Sequence, residues 1–291
     1  RRQRQMCIRD SYYKVGIGVG LFFLFVMMGC GRTENRNKVD FFERFYQQME
    51  RISADSPEHV SRMVDRIIPS VKDSTMYYRL LLLKVRSCFL SFRLDSASYL
   101  LDKIGAFCDK HAESQDIARL YAMVYNARGN ICVRTSQADS ACRCYLKSFE
   151  YATRGGNRES LPDICLNLAD VYVKKGRYDL GALWYNRSLS IADSLDMSDK
   201  QRFPAYYGLA QVNMELRDFA ACDYYYNLAS RYYDQMHPFE KHIYLNNRGN
   251  SYYYRQDYAT ALTYFRRSLG VVNQYPDMNF ERNLTMINLG E

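Results

Sequence analysis

The sequence predicts an all-α chain, an α-α superhelix of stacked antiparallel helix hairpins, on three observations. The first is the stretch Asn246–Leu269. It reads as two helices around a short turn at Gln256-Asp257, with Gly249 and Tyr252 on one stripe of the first and Tyr258, Ala261, Phe265 and Ser268 on one stripe of the second. That is the spacing of a buried helical face, and alternating small and large residues let two helices approach closely while an aromatic fills the gap beside them. The second observation is recurrence. The small site on the first helix is held by Gly129, Ala169, Ala210 and Gly249, at intervals of 40, 41 and 39 residues. The third is that the six prolines fall mostly in loops or at helix starts, where an all-helical chain tolerates them.

The second helices repeat in the same register. Their small site is Ala141, Gly181, Cys222 and Ala261; the aromatic after it is Tyr145, Tyr185, Tyr226 and Phe265; the next small residue is Ser148, Ser188, Ala229 and Ser268. The turn repeats as Lys175-Gly-Arg-Tyr178, Leu216-Arg-Asp-Phe219 and Arg255-Gln-Asp-Tyr258. These columns resemble the tetratricopeptide repeat, in its roughly 40-residue variety as in kinesin light chains. The chain departs from that pattern in two places: it lacks the frequent Trp early in the first helix, and polar loops such as Asp193-Ser-Leu-Asp196 replace the usual Pro at the repeat end.

Taken in order, residues 1–29 read as a leader. A basic stretch ends at Lys14, an apolar run follows from Val15 to Met28, and Val26-Met-Met-Gly-Cys30 closes it. This resembles a bacterial lipoprotein signal, which implies lipidation at Cys30; the run is short for a membrane span, and an uncleaved signal anchor is the alternative. Because the sequence opens on Arg1, the start is expected at Met6 or upstream. Residues 30–39 are polar and read as a tether.

Residues 40–112 are expected to form degenerate hairpins that cap the solenoid. Phe41, Phe42, Phe45, Met49 and Ile52 lie on one face of a first helix; Asp55-Ser-Pro-Glu starts a second, with Val60, Met63, Val64, Ile67 and Ile68 buried and Pro69 as its stop. A further pair runs from Tyr77 to Phe92 and from Ser96 to Cys108, with Val85 at the small site and Ala97, Leu101 and Ile104 in the second-helix columns. Residues 113–291 hold four well-marked hairpins punctuated by Arg154-Gly-Gly-Asn157 and Met236-His-Pro238. Asn288-Leu-Gly-Glu291 matches the start of another first helix, so a C-terminal completion is expected beyond it.

No catalytic, metal or cofactor-binding constellation is legible, and the chain reads as not an enzyme. Nine cysteines invite a redox or metal reading, but setting aside Cys7 and Cys30 leaves seven at irregular spacing. Cys142 and Cys144 point to different helix faces, Cys222 sits in a packing column, and buried free thiols are the expectation. His237 and His242 flank a helix start and are expected to serve capping and solvent contacts. Asp95 and Asp102 read as solvated helix charges. No phosphate loop, nucleophile elbow or His-Glu zinc motif occurs. Of the net charge of +8, Arg1, Arg2, Arg4, Arg9 and Lys14 against Asp10 supply five minus one, or +4, which leaves little support for nucleic-acid binding. The 27 tyrosines fall mostly on helical stripes and are expected to pack.

The resemblance implies that the first helices line a concave groove where a ligand lies. Around the small sites that face carries Asn126 and Asn130, Leu166 and Asp170, Tyr207 and Gln211, and Asn246 and Asn250; one turn further lie Arg134, Lys174, Glu215 and Tyr254. Side-chain amides both donate to and accept from an extended peptide backbone, and the cations meet a carboxylate. A structural role within the repeat is the competing reading of the same row. The expected function is a non-catalytic scaffold that holds a protein or peptide, exported and membrane-anchored in the periplasm or at the outer membrane of a bacterium. One alternative is the input segment of a sensor histidine kinase or helix-turn-helix regulator. Another is a glycan-binding surface lipoprotein, which would need exposed coplanar aromatics from Tyr224-Tyr226 or Tyr252-Tyr254.

Overall fold

A computed structural model describes residues 33–111 and 114–290, so the leader and Cys30 lie outside the described residues. Among the described residues thirteen α-helices run in order: α1 Thr33–Ile52, α2 Pro57–Ile67, α3 Ser74–Leu90, α4 Leu94–Lys110, α5 Gln115–Arg134, α6 Ala138–Arg154, α7 Leu161–Lys174, α8 Tyr178–Ser194, α9 Asp199–Glu215, α10 Phe219–Ala229, α11 Pro238–Tyr254, α12 Tyr258–Val272 and α13 Asn279–Leu289. No strand occurs among the described residues. Two compact units are present, divided between Leu100 and Leu101 inside α4.

In the first unit α1 begins at Thr33, so the stretch read as a tether is helical from that residue on. No Gly or Pro follows Gly31 to stop the helix that Phe45 and Met49 anchor. Phe45, Met49, Val60, Val64 and Ile67 are buried as their spacing predicts, and Tyr46 joins them. Pro57 occupies the first turn of α2, and Pro69 lies in the 3₁₀ turn that ends it. Arg79 of α3 forks onto Glu43 of α1 at 2.6 and 3.0 Å, with its guanidinium 4.4 Å from the Tyr46 ring centre.

The second unit is built on the repeat columns. α5/α6, α7/α8, α9/α10 and α11/α12 are hairpins, and each second helix also packs on the next first helix. The first-helix small residues Gly129, Ala169, Ala210 and Gly249 meet the aromatic column, and Tyr145, Tyr185, Tyr226 and Phe265 are all at most 4% exposed. A Cβ on Gly129 would stand 2.4 Å from the Tyr145 ring, and one on Gly249 2.6 Å from Phe265. The serine column has its own use. Ser148, Ser188 and Ser268 donate to the carbonyls of Ala122, Pro162 and His242, each 26 residues upstream on the paired first helix.

The turns repeat as closely as the helices. Ser136, Gly176, Arg217 and Gln256 each take left-handed backbone, with φ of 60°, 71°, 59° and 66°. The following residue's N–H closes a six-residue ring onto the end of the first helix: Gln137 to Cys132, Arg177 to Tyr172, Asp218 to Asn213 and Asp257 to Tyr252, at 2.8–3.0 Å. This helix stop satisfies carbonyls that would otherwise be orphaned. Asp218 and Asp257 then cap the second helix by accepting from the N–H groups of Ala221 and Thr260.

Two expectations about histidine and loop positions change. His237 caps α11, with the reciprocal bond from Glu240, as read. His242 is 2% exposed, with Nδ1 2.9 Å from Ser268 Oγ, and so is a core residue without solvent contact. It falls one turn after the cap, on the face that α12 covers. The polar loop at Asp193–Asp196 is half helix, because α8 continues through Ser194 and only Leu195 and Asp196 form the turn.

Candidate functional site

In three of the four hairpins the polar residue after the small site bonds the second helix of its own hairpin. Tyr145 donates its hydroxyl to Asn130 Oδ1 at 2.7 Å, and Tyr185 donates to Asp170. In the third hairpin the sense reverses: Gln211 donates its amide to the Tyr226 hydroxyl. In the fourth hairpin Phe265 has no hydroxyl, and Asn250 donates to Asn247 at 3.4 Å. A tyrosine in the core column needs a polar partner at its tip, and the first helix supplies it fifteen residues upstream. The structural use of this row is thus present at three of four positions.

A second ladder links neighbouring first helices. Asn167 donates to Asn126 at 3.0 Å, Asn247 donates to the Tyr207 hydroxyl, and Asn288 donates to Asn246 at 3.2 Å. Asn246 is only 5% exposed, so its amide serves the stack and presents little to a ligand. Arg134, Lys174 and Tyr254 are exposed near the ends of their helices. Most of the predicted row thus bonds other helices: Asn126, Asn130 and Asn246 do so, and Asp170, Tyr207 and Gln211 do so while lining, with Lys174, an opening.

That opening is a pocket of about 600 Å³ between α7, α9 and α11. Leu166, Val173, Phe203, Pro204, Phe239 and Ile243 make it largely apolar; Asp170, Lys174, Gln211 and Glu240 bring polar groups, and Tyr185 and Tyr207 bring hydroxyl-bearing rings. Gly208 makes room for Tyr185, since a Cβ there would lie 2.3 Å from the ring. Tyr185 thus packs under its own first helix and the next one together. Phe203, Phe239 and Ile243 escape the reading of the small-site columns. They sit one to two turns earlier on the same helix faces, and Phe239 and Ile243 lie eight and four residues before Asn247.

The electrostatics single out Asp170. It is open to the groove yet enclosed by protein elsewhere, so desolvation pushes its carboxyl above the ordinary value, against the Tyr185 hydroxyl and the more distant Lys174 charge. Asp163, two turns earlier on α7, is raised by desolvation alone. Burial pushes the Tyr207 hydroxyl up to about 12 and those of Tyr145 and Tyr185 higher still. Among the described residues no cluster of three or more His, Cys, Asp or Glu side chains could hold a metal ion. No helix among them is long and apolar enough to cross a membrane.

Fold and site together define a class: a helical-hairpin repeat scaffold with an apolar pocket on its first-helix face. A sequence profile of the tetratricopeptide repeat matches residues 162–194, which is the α7/α8 hairpin. That hairpin matches a tetratricopeptide repeat, and helix hairpins of the same build occur four times in the second unit. No curated protein matches it in sequence. Among solved structures it is similar to the STAND signal-transduction ATPase with a tetratricopeptide repeat sensor, PH0952, from Pyrococcus horikoshii (TM-score 0.63, 15% identity, 84% of this chain and 39% of that one). It is similar to the Rap protein complexed with Competence and Sporulation Factor (0.61, 15%, 80% and 64%). It also resembles NprR in complex with its cognate peptide NprX (0.59, 18%, 86% and 72%). The chain thus spans less than two thirds of the first two, and at these identities the likeness is one of fold.

Proposed function

We propose that this chain is a non-catalytic scaffold that binds a peptide or protein segment along its first-helix face, with the pocket between α7, α9 and α11 as the anchor point. The observation that carries this reading is the pocket itself. It is a largely apolar recess with convergent polar groups, the usual composition of a binding site. Lys174 stands among its lining residues beside Gln211, whose amide also holds Tyr226. The similarity to NprR, whose solved complex contains a peptide, agrees with it. In the same reading Cys30 is lipidated and the scaffold is exported and tethered at a bacterial membrane; palmitate labelling of the chain against Cys30→Ser tests that anchor.

The similarity to a repeat sensor within a STAND protein favours a second reading, in which the chain is the input segment of a longer signalling protein. Both readings use the same face. The test is selection from a random peptide library on the full chain, followed by rebinding to Ile243→Trp, which fills the pocket, and to Tyr224→Ala, which changes an exposed ring elsewhere. Enriched peptides should lose binding to the first variant and keep it for the second. Peptides that bind Ile243→Trp undiminished would remove the pocket from the function.

A further inference from the structure

Asp170 is the one acid in its column, where the other three hairpins place Asn130, Gln211 and Asn250. An amide would satisfy the Tyr185 hydroxyl equally well, so a carboxylate at this position needs another reason. Its surroundings supply one. The hydroxyl-bearing rings of Tyr145, Tyr185 and Tyr207 all lie within electrostatic reach of it. Phe203 and Phe239 line the same recess, with Phe203 packed 5.8 Å from Tyr207. Glu240 adds a second carboxylate at the wall. Lys174 is the one cation lining the pocket, and its charge acts on Asp170 without an ion pair between them. A partly desolvated carboxylate without an ion-paired cation, in a recess lined by aromatic side chains, is complementary to an organic cation. The rings attract it through their quadrupoles and the carboxylate supplies the counter-charge.

We infer that the pocket takes a cationic group on an apolar stem, a lysine-, methyl-lysine- or arginine-type side chain of the bound segment, with Asp170 as its counter-ion. This rests on the groove reading above and adds the charge of the anchor to it. The stem lies against Leu166, Val173 and Ile243, and the charged head sits among Tyr185, Tyr207 and Asp170. An acidic anchor would meet Asp170 and Glu240 with like charge, and an aliphatic one would leave the carboxylate desolvated with nothing gained.

The test is a ligand-observed NMR titration of the full chain with three probes of one shape: phenethylamine, 2-phenylethanol and phenylacetate. The amine should bind about tenfold or more tighter than the alcohol, and phenylacetate weakest. Asp170→Asn, which keeps an acceptor for Tyr185, should bring the amine to the level of the alcohol. Equal affinities for the three probes in the unmodified chain overturn the inference while leaving the pocket standing. Binding of none of them takes down the groove reading as well. A preference for the amine that persists in Asp170→Asn also overturns it; the charge series on the unmodified chain decides the matter should that variant not fold. Two blocked tripeptides, acetyl-Ala-Lys-Ala-amide and its norleucine counterpart, assign the source. The lysine peptide should bind at least as tightly as phenethylamine, and a clear advantage for the free amine would overturn the peptide-borne anchor.

Discussion

Tyr145 donates its hydroxyl to Asn130 at 2.7 Å, from the core of one helix to the groove edge of its partner. The bond ties the packing column to the proposed ligand face, so changes on the two sides have unequal consequences. Asn130→Ala leaves a buried phenol without an acceptor and should cost about 1–3 kcal/mol, whereas Tyr145→Phe removes the donor and leaves a half-buried amide that water reaches, at about 0.5–1.5 kcal/mol. Denaturant midpoints of the two variants measure this. The fourth hairpin offers the converse. Phe265→Tyr should place a hydroxyl near Asn250 and hold or raise stability, since the ring occupies the same seat against Gly249 as Tyr145 does against Gly129.

Glycines of one composition should respond with opposite sign. A Cβ at Gly208 would sit 2.3 Å from the Tyr185 ring, and one at Gly129 2.4 Å from Tyr145. Alanine at either forces a ring out of its seat, and overpacking of this kind costs about 1–3 kcal/mol. Gly270 on α12 has nothing within 4 Å, and there alanine only removes backbone freedom, stabilising by about 0.5–1 kcal/mol. Thermal melts of the three variants should therefore straddle the parent. A Gly208→Ala melt equal to that of the parent would contradict the inter-repeat seat of Tyr185.

The left-handed turn column makes a similar prediction for the backbone. Gly176 fills the position at φ 71°, whereas Arg217 and Gln256 hold it at 59° and 66° with a Cβ in place. Left-handed backbone costs a non-glycine residue about 1–2 kcal/mol, so Arg217→Gly and Gln256→Gly should each raise stability by up to about 1 kcal/mol and Gly176→Ala should lower it by a similar amount. Chemical denaturation would show it, with the slope unchanged.

Much of this was legible before the structure. The columns at Gly129, Ala169, Ala210 and Gly249 located the hairpins, because a helix contact that excludes a side chain leaves a small residue in the sequence wherever it recurs. The pocket was only half legible. Asp170, Lys174, Tyr207 and Gln211 were found by counting from the small site. Phe203 and Phe239 were not, because an aromatic on a helix face reads alike whether it is covered or open. The sharing of Asn130 and Asp170 with the tyrosine column is also visible only in space. The fifteen-residue spacing is constant, but it carries meaning once two helices are known to lie side by side. On the glycan reading, Tyr226 proves fully buried while Tyr224 is exposed, so that pair forms no exposed aromatic platform; Tyr254 is exposed and Tyr252 half-buried.

The cysteines divide by exposure. Cys132 and Cys144 are half-buried and lie in contact across the α5/α6 hairpin, and the other five described cysteines are buried. Desolvation pushes the thiols of Cys108 and Cys165 up to about 12 and that of Cys222 to about 11, which suppresses the reactive thiolate. Among the described thiols, iodoacetamide at neutral pH under native conditions should therefore modify Cys132 and Cys144 first. Peptide mapping by mass spectrometry reads the order directly, and early labelling of Cys165 would show that α7 opens far more readily than its packing implies.

His242 supplies a pH dependence to the last hairpin. Burial lowers its pKa below the ordinary value, with Glu281 opposing, so the fold holds it neutral beside Ser268 and Thr285. The unfolded chain binds a proton at this imidazole near pH 6.5, and the folded chain binds it only at lower pH. Between those two values the unfolded state carries more protons, so stability falls as pH drops through that window and is complete above it. Asp170 acts in the opposite direction: its raised carboxyl contributes below its ordinary value and loses that contribution as pH rises through its folded value. The comparison must therefore be differential. His242→Gln should flatten the fall in melting temperature between pH 7.5 and the acid side of the histidine window while leaving the Asp170 contribution in place. A variant whose melting follows the parent in parallel across that range would place the acid sensitivity elsewhere in the chain.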